Sequence, residues 1–216
     1  MRIRCQPPTN DWQLALATDN YQLKTMTPLT IAIQAGGKSS RMGTDKSFVP
    51  FLGRPMIEVV RERVEGLGDE LIIVTNKPDA YAYLGLPMFG DDYPDTGPLG
   101  GIYTAVHHAR HERTLVVACD MPWLNRSLLE YMVGLRETAD IVVPRWDKFP
   151  EPLHAIYSKA CLEPMREKLA AGMLKITAFY GRVAVRFVER EEIARFDPDG
   201  RSFANVNTPD DLARQQ

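Results

Sequence analysis

The chain has 216 residues and a formal net charge of −2, with 44% hydrophobic and 25% charged residues. These values are ordinary for a soluble globular protein, and the charge balance does not favour a general nucleic-acid binder. Three cysteines, Cys5, Cys119 and Cys161, are too few and too widely spaced to predict a disulfide framework or a CxxC zinc site. We therefore expect a cytoplasmic protein that does not bind nucleic acid.

The N-terminal segment, residues 1–26, has a low and irregular apolar content. It lacks the continuous apolar stretch of a secretory signal. The chain contains no run of about 18 apolar residues that would predict a transmembrane helix, so no membrane association is expected. We expect residues 1–26 to be a poorly ordered extension and residues 27–216 to form one domain.

Short strands alternate with helices through the first two thirds of the chain. The strands are almost wholly apolar, and they are predicted at residues 29–34, 70–76, 114–120 and 139–144. The intervening helices are predicted at residues 54–68, 101–112 and 125–137. Pro55 lies near the start of the first helix, and Asn125 is a suitable N-cap for the third. This alternation predicts an α/β fold, a Rossmann-like three-layer sandwich with a mostly parallel central sheet.

The last third of the chain is less regular. A strand is predicted at 153–158, two short helices at 159–172 and 173–181, and an edge strand at 182–189, where apolar and polar residues alternate. Residues 203–216 predict a short strand and then a helix, with Thr208 as its cap and Pro209 at its first position.

Polar motifs follow the predicted strands directly. Gly36 and Gly37 follow the first strand, Asn76 ends the second and Asp120 ends the third. Because ligands of parallel sheets bind at the carboxyl ends of the strands, we expect these residues to converge on one crevice.

The loop "QAGGKSSRMGTDK" at residues 34–46 is rich in glycine and positive charge. Glycines allow several backbone N–H groups to point at a phosphate, and Arg41 and Lys46 would offset its charge. The spacing matches neither the P-loop nor the GxGxxG fingerprint. An ordinary flexible loop with solvated cations is the alternative interpretation.

Four motifs in this order resemble those of the molybdenum cofactor guanylyltransferase family. They are "QAGGKSSRMGTDK" at 34–46, "GPLGGI" at 97–102, "CDMP" at 119–122 and "NVNTPDDL" at 205–212. The family pattern runs roughly LAGG-x-S-x-RMG-x-DK, and this chain departs from it at Gln34, where leucine or a similar residue is usual. The resemblance covers about residues 28–214 and implies a nucleotidyltransferase fold of the glycosyltransferase-A-like type.

The resemblance also implies a reaction: transfer of GMP from GTP to molybdopterin-bound molybdenum cofactor, with release of pyrophosphate and with Mg²⁺ as cofactor. Other cofactor-biosynthesis proteins or recipient molybdoenzymes are the implied protein partners. Related cytidylyltransferases usually carry LAAG, so Gly36-Gly37 favours guanine. A CTP-dependent enzyme, a sugar-phosphate nucleotidyltransferase and a non-catalytic nucleotide-binding protein remain alternatives.

Roles for individual residues follow from the same resemblance. Asp120 is expected to hold Mg²⁺, a role that one carboxylate at a strand end can fill, and to act in catalysis with Lys46 and Arg41. The residues expected to contact the nucleotide are Gln34, Ala35, Gly36, Gly37, Lys46, Asn76, Asp91, Gly97, Pro98, Leu99 and Asp120. Asp92 is the alternative to Asp91, and Asn205 and Asn207 are expected to contact the acceptor.

Histidines offer a weaker signal. His107 and His111 are four residues apart on a predicted helix, which would place them on one face. Without a third ligand at a clear spacing, we expect a solvated helix face rather than a metal site. His154 lies in a predicted strand and is expected to be buried in the core or to line the pocket.

Overall fold

A seven-stranded sheet forms the centre of the protein, and the computed structural model describes residues 27–36, 50–51 and 53–206. The strands in chain order are β1 Leu29–Gln34, β2 Pro50–Phe51, β3 Arg54–Pro55, β4 Glu70–Val74, β5 Met88–Phe89, β6 Arg113–Ala118, β7 Ile141–Arg145, β8 His154–Ser158 and β9 Val185–Glu189. The central sheet has the order β5-β4-β1-β6-β8-β7-β9, and β2 and β3 form a separate antiparallel pair.

Helices cover both faces of this sheet. They are α1 Met56–Val64, α2 Pro78–Tyr81, α3 Pro98–His108, α4 Arg126–Gly134, α5 Leu162–Ala170 and α6 Arg190–Ile193. Alternate side chains of β1 enter different cores: Ile31 and Ile33 pack with α1 and α4, whereas Ala32 packs with α3 and α5. This two-sided burial confirms the predicted three-layer arrangement.

The sheet is mostly parallel, with β8 as the exception. This strand is antiparallel to both β6 and β7. Only residues 146–153 connect β7 to β8, and a parallel crossover needs a dozen or more residues, so the chain has to turn back on itself. Arg145 and His154 consequently lie at the same edge of the sheet as the carboxyl end of β6.

Several predicted boundaries need correction. The helix expected at 101–112 begins earlier, at Pro98, and ends at His108, so His111 lies outside it. The two-residue strand β5 was not predicted, because two residues give no recognisable period. The strand expected to begin at Phe203 was wrong, since a 3-10 turn occupies Arg201–Phe203 and residues 204–206 have no strand pairing.

Other predicted features are confirmed. The side chain of Asn125 accepts a hydrogen bond from the Leu128 N–H at 3.0 Å and caps α4. The alternating segment forms β9 at the edge of the described sheet, where it pairs with β7. The expected extension at 1–26 and the final helix after Pro209 lie outside the described residues. Among the helices that the structure describes, none is long and apolar enough to cross a membrane.

Candidate active site

Backbone hydrogen bonds tie the ends of four neighbouring strands together. The Cys119 N–H donates to the Gln34 carbonyl at 3.1 Å, just beyond the end of β6. The Ala35 N–H donates to the Val74 carbonyl at 2.9 Å, and the Thr75 N–H donates to the Phe89 carbonyl at 2.8 Å. The polar segments that follow these strands therefore leave the sheet side by side at its carboxyl edge.

Asp120 lies at this edge beside the C-terminal motif. Its backbone carbonyl accepts a hydrogen bond from the Val206 N–H at 2.9 Å. Asn205 precedes Val206 and is exposed, while Asp120 is partly exposed. The structure thus brings the expected metal ligand next to one of the two expected acceptor residues. Asn207 lies outside the described residues.

Asn76 and Asp91 are joined by a direct contact. The Asn76 side-chain oxygen accepts a hydrogen bond from the Asp91 N–H at 2.8 Å, across 15 positions of sequence. The Asp91 carboxylate accepts from the Tyr93 N–H at 2.9 Å and lies 3.3 Å from the Thr104 hydroxyl. Burial raises the pKa of Asp91, and these two hydrogen bonds oppose the shift. Asp91 is therefore a positioned, partly desolvated carboxyl group in the loop after β5.

The GPLGG motif turns the chain into α3. Gly97 has a φ of +70°, which L side chains rarely adopt, and Pro98 occupies the first turn of the helix. Leu99 is fully buried in the core, so any contact of Leu99 with a nucleotide would use its backbone. At Gly100 an added Cβ would lie 2.8 Å from the Tyr93 carbonyl oxygen and 3.0 Å from Asp91 Oδ1. The loop that carries Asp91 therefore packs directly on the helix.

Gln34 sits beneath the same motif. A Cβ built on Gly101 would lie 1.6 Å from Gln34 Nε2, so the amide packs against the bare helix backbone. The Gln34 side-chain oxygen is buried, and no donor among the described residues reaches it. A buried amide oxygen without a partner is unfavourable by roughly 1–3 kcal/mol. Gln34 thus has an unused acceptor at the end of β1.

The connection between β7 and β8 borders the same edge. Arg145 pairs with Glu189, with Nε at 3.0 Å from Oε2. Burial raises the pKa of Glu151, with a smaller contribution from the nearby Asp147. His154 is fully buried and packs at 5.2 Å from the Phe203 ring, and neither of its ring nitrogens has a hydrogen-bond partner within the described part of the chain. Desolvation lowers the pKa of His154 to about 4.

His107 and His111, which were expected to share a helix face, do not do so. His111 is not on α3, and its N–H instead lies 3.3 Å from the Thr30 hydroxyl. His107 and the adjacent His108 both contact the carboxylate of Asp92, at 2.8 Å and 3.0 Å. These three side chains form a group that could hold a divalent metal ion. Sequence spacing could not identify it, because its third member is 15 positions away from His107.

The structure leaves part of the predicted site undescribed. Gly37, Arg41 and Lys46 lie outside the described residues, and their roles stay predictions. Gly36 is exposed directly after the buried Ala35, at the point where the glycine loop leaves β1. Sequence reasoning missed Thr104, whose hydroxyl accepts a hydrogen bond from the Asp92 N–H at 2.9 Å.

Known proteins are similar to this chain in sequence and in fold. A model of the MobA-like NTP transferase domain matches residues 31–184. A probable molybdenum cofactor guanylyltransferase of Clostridium perfringens is 35% identical over 185 residues, covering 83% of this chain and 92% of the relative. A molybdenum cofactor guanylyltransferase of Desulfosudis oleivorans is 34% identical over 193 residues, covering 88% and 96% respectively.

A solved structure agrees with these sequence matches. The crystal structure of molybdopterin-guanine dinucleotide biosynthesis protein A from Archaeoglobus fulgidus superimposes with a TM-score of 0.73 and 28% identity, over 86% of this chain and 95% of that chain. The predicted fold type and the predicted resemblance are both confirmed. The family match spans the strand ends and the loop that carries Asp91, which make up most of the site just described. The chain belongs to the MobA-like NTP transferase family of nucleotidyltransferases.

Proposed function

We propose that this enzyme transfers GMP from GTP to the terminal phosphate of molybdopterin-bound molybdenum cofactor and releases pyrophosphate. Two backbone hydrogen bonds carry the proposal. The Cys119 N–H donates to the Gln34 carbonyl, so the start of the nucleotide loop lies beside the proposed metal ligand Asp120. The Val206 N–H donates to the Asp120 carbonyl, so the proposed acceptor segment lies there as well.

The nucleoside would lie against the loop after β5. Asn76 orients the backbone of Asp91, and Thr104 lies against the Asp91 carboxylate. A carboxylate placed in this way can accept hydrogen bonds from a ribose hydroxyl or from the N–H groups of guanine. We propose Asp91 rather than Asp92 for this contact, because the Asp92 carboxylate is already engaged by two histidines.

Gln34 is proposed to help to recognise the base. Its buried side-chain oxygen has no donor among the residues that the structure describes. Guanine offers N–H donors on its Watson–Crick edge that could satisfy this oxygen. Ala35, Gly36, Gly37 and the backbone of the Gly97-Pro98-Leu99 segment would complete the nucleotide contacts.

Asp120 fits the requirement for Mg²⁺ by its donor chemistry. Mg²⁺ takes oxygen ligands, keeps several waters and needs only one or two protein carboxylates, and Asp120 is a partly exposed carboxylate at the end of β6. A bound Mg²⁺ would neutralise charge on the phosphates. The fit supports Mg²⁺ as the proposed cofactor, with Asp120 as its protein ligand.

The chain's own residues would supply positioning and charge. Lys46 and Arg41 would offset the negative charge of the polyphosphate, and Asn205 and Asn207 would orient the acceptor. The acceptor phosphate is already anionic at neutral pH, so its oxygen can attack the α-phosphorus as the bond to pyrophosphate breaks. No strong general base is required, and positioning with charge stabilisation is the main source of the rate enhancement. We propose further that residues 27–216 act as one domain in the cytoplasm, alongside other cofactor-biosynthesis proteins or recipient molybdoenzymes.

The test is product formation from α-labelled GTP, CTP or ATP in magnesium, with either molybdopterin cofactor or a sugar phosphate as the acceptor. GTP should be the preferred donor, and Asp120→Asn should abolish transfer without changing the circular dichroism spectrum. Asp79→Asn is the matched control, since Asp79 is an exposed carboxylate on α2. Preference for CTP would select the cytidylyltransferase, and transfer to a sugar phosphate alone would select that alternative. Nucleotide binding without metal-dependent turnover would indicate a non-catalytic binding protein.

A further inference from the structure

Three side chains with metal-ligating atoms meet at the C-terminal end of α3. Asp92 Oδ2 lies 2.8 Å from His107 Nδ1, and Asp92 Oδ1 lies 3.0 Å from His108 Nε2. All three ligand atoms are within 4.8 Å of one another. His108 lies ten residues after Pro98, where α3 begins, which is about 15 Å along the helix at 1.5 Å per residue. The group does not include Asp120, the proposed Mg²⁺ ligand, which follows β6.

The three ligands are held in place by their surroundings. The His108 ring stacks on Phe89 with centroids 4.5 Å apart and planes 18° apart. The His107 ring lies 5.5 Å from the Tyr103 ring, and the Asp92 N–H donates to the Thr104 hydroxyl at 2.9 Å. In metal sites, supporting contacts of this kind fix the orientation of the ligand side chains. The three ligand atoms would therefore already converge before an ion binds.

The group is also open to solvent and carries the charge that a cation needs. The exposed fractions of the side chains are 52% for His107, 31% for His108 and 27% for Asp92. An aspartate carboxylate at its ordinary pKa is ionised at neutral pH, so Asp92 is available as an anionic ligand.

We propose that Asp92, His107 and His108 form a binding site for a divalent transition metal of the Zn²⁺, Co²⁺ or Ni²⁺ class. Imidazole nitrogens suit these ions, whereas Mg²⁺ and Ca²⁺ select oxygen ligands. Three protein ligands leave at least one coordination position for water. Thr104 contacts both Asp92 and Asp91, so a metal ion here would brace the loop that carries the proposed nucleoside contact.

The test is a Co²⁺ titration of untagged, EDTA-treated full-length protein, followed by visible d–d absorption. The wild-type protein should bind one Co²⁺ at this site and show a visible absorption band. An excess of Mg²⁺, about 10 mM, should not displace the Co²⁺, because imidazole ligands favour the transition metal. His107→Ala and His108→Ala should each weaken this binding by about tenfold or more, the scale seen when metal-site partners are removed. His111→Ala is the matched control and should leave the titration unchanged, because His111 lies outside the group.

A measurement in the Asp120→Asn variant distinguishes this site from the proposed catalytic metal site. In Asp120→Asn protein the histidine-dependent band should persist, whether or not that variant turns over GTP. Asp92→Asn, which conserves the side-chain size, should weaken Co²⁺ binding as the histidine variants do, and unchanged melting temperatures without metal would show that the variants remain folded. Absence of saturable Co²⁺ binding in the wild-type protein, or equal binding by the His107→Ala and His108→Ala variants, would overturn the proposal.

Discussion

Replacement of Gly100 by alanine tests the packing of the nucleoside loop on α3. In a helix without tertiary contacts, this change would stabilise the helical state by about 1 kcal/mol, because glycine has a lower helix propensity than alanine. Here the new Cβ would meet Thr96 Oγ1 at 2.2 Å, the Tyr93 carbonyl oxygen at 2.8 Å and Asp91 Oδ1 at 3.0 Å. The Thr96 hydroxyl can rotate away only by giving up its hydrogen bond to the Tyr93 carbonyl. The Tyr93 oxygen belongs to the backbone, so the loop itself has to move.

Overpacking of this kind costs roughly 1–3 kcal/mol, which exceeds the gain in helix propensity over most of that range. We expect Gly100→Ala to lower the free energy of unfolding by up to about 2 kcal/mol after the propensity gain is subtracted. For a domain of this size the melting temperature should fall by roughly 2–4 °C for each kcal/mol. Displacement of Asp91 should also weaken GTP binding by about tenfold, which corresponds to about 1.4 kcal/mol.

Urea unfolding and calorimetric GTP titration measure the two effects. Gly134→Ala is the matched control. Gly134 ends α4, and apart from its chain neighbours and the backbone of its own helix no described atom lies within 4 Å of its built Cβ. That variant should be unchanged or stabilised by up to about 1 kcal/mol, with normal GTP affinity. A Gly100→Ala protein that is stabilised as much as Gly134→Ala and binds GTP normally would refute the close packing of loop and helix.

Two further predictions concern charge. Lys46→Ala should reduce kcat/KM for GMP transfer by about 100-fold or more, the scale for losing one preorganised electrostatic partner. Steady-state kinetics measure this effect, with Lys46→Arg as the charge-conserving control. An alanine variant as active as the wild type would contradict the role of Lys46. Burial lowers the pKa of His154 from 6.5 to about 4, so the folded protein keeps this side chain neutral. Between these two pH values the unfolded chain binds more protons than the folded protein does. The free energy of unfolding should therefore fall as the pH falls, by about 3 kcal/mol in total. In urea unfolding, His154→Leu should lose this part of the pH dependence, whereas a difference between variant and wild type that stays constant from pH 7 to about pH 4 would show that His154 does not cause it.

The features that sequence could predict are those that depend on chain-local patterns. Apolar runs identify β1, β4, β6 and β7, and the parallel alternation places their polar ends together. Asn125 was predictable as a cap because its role depends on a residue three positions away.

The features that sequence could not predict depend on contacts across the fold. No local sequence pattern indicates that β8 inserts between β6 and β7 and runs antiparallel to both. His107 contacts Asp92, which is distant in sequence. It does not share a helix face with His111, because α3 ends at His108. Thr104 gave no motif signal, although it contacts both aspartates of the loop.

We propose that one nucleotide contacts both the glycine loop and Asp120 at the carboxyl edge of the sheet. A crystal structure with Mg²⁺ and a non-hydrolysable GTP analogue would show whether it does. We expect the triphosphate to lie between Lys46 and Asp120, with the guanosine against Asp91 and the Gln34 side chain. A structure with Lys46 and Asp120 on opposite sides of the protein, or with the analogue bound away from this edge, would contradict it.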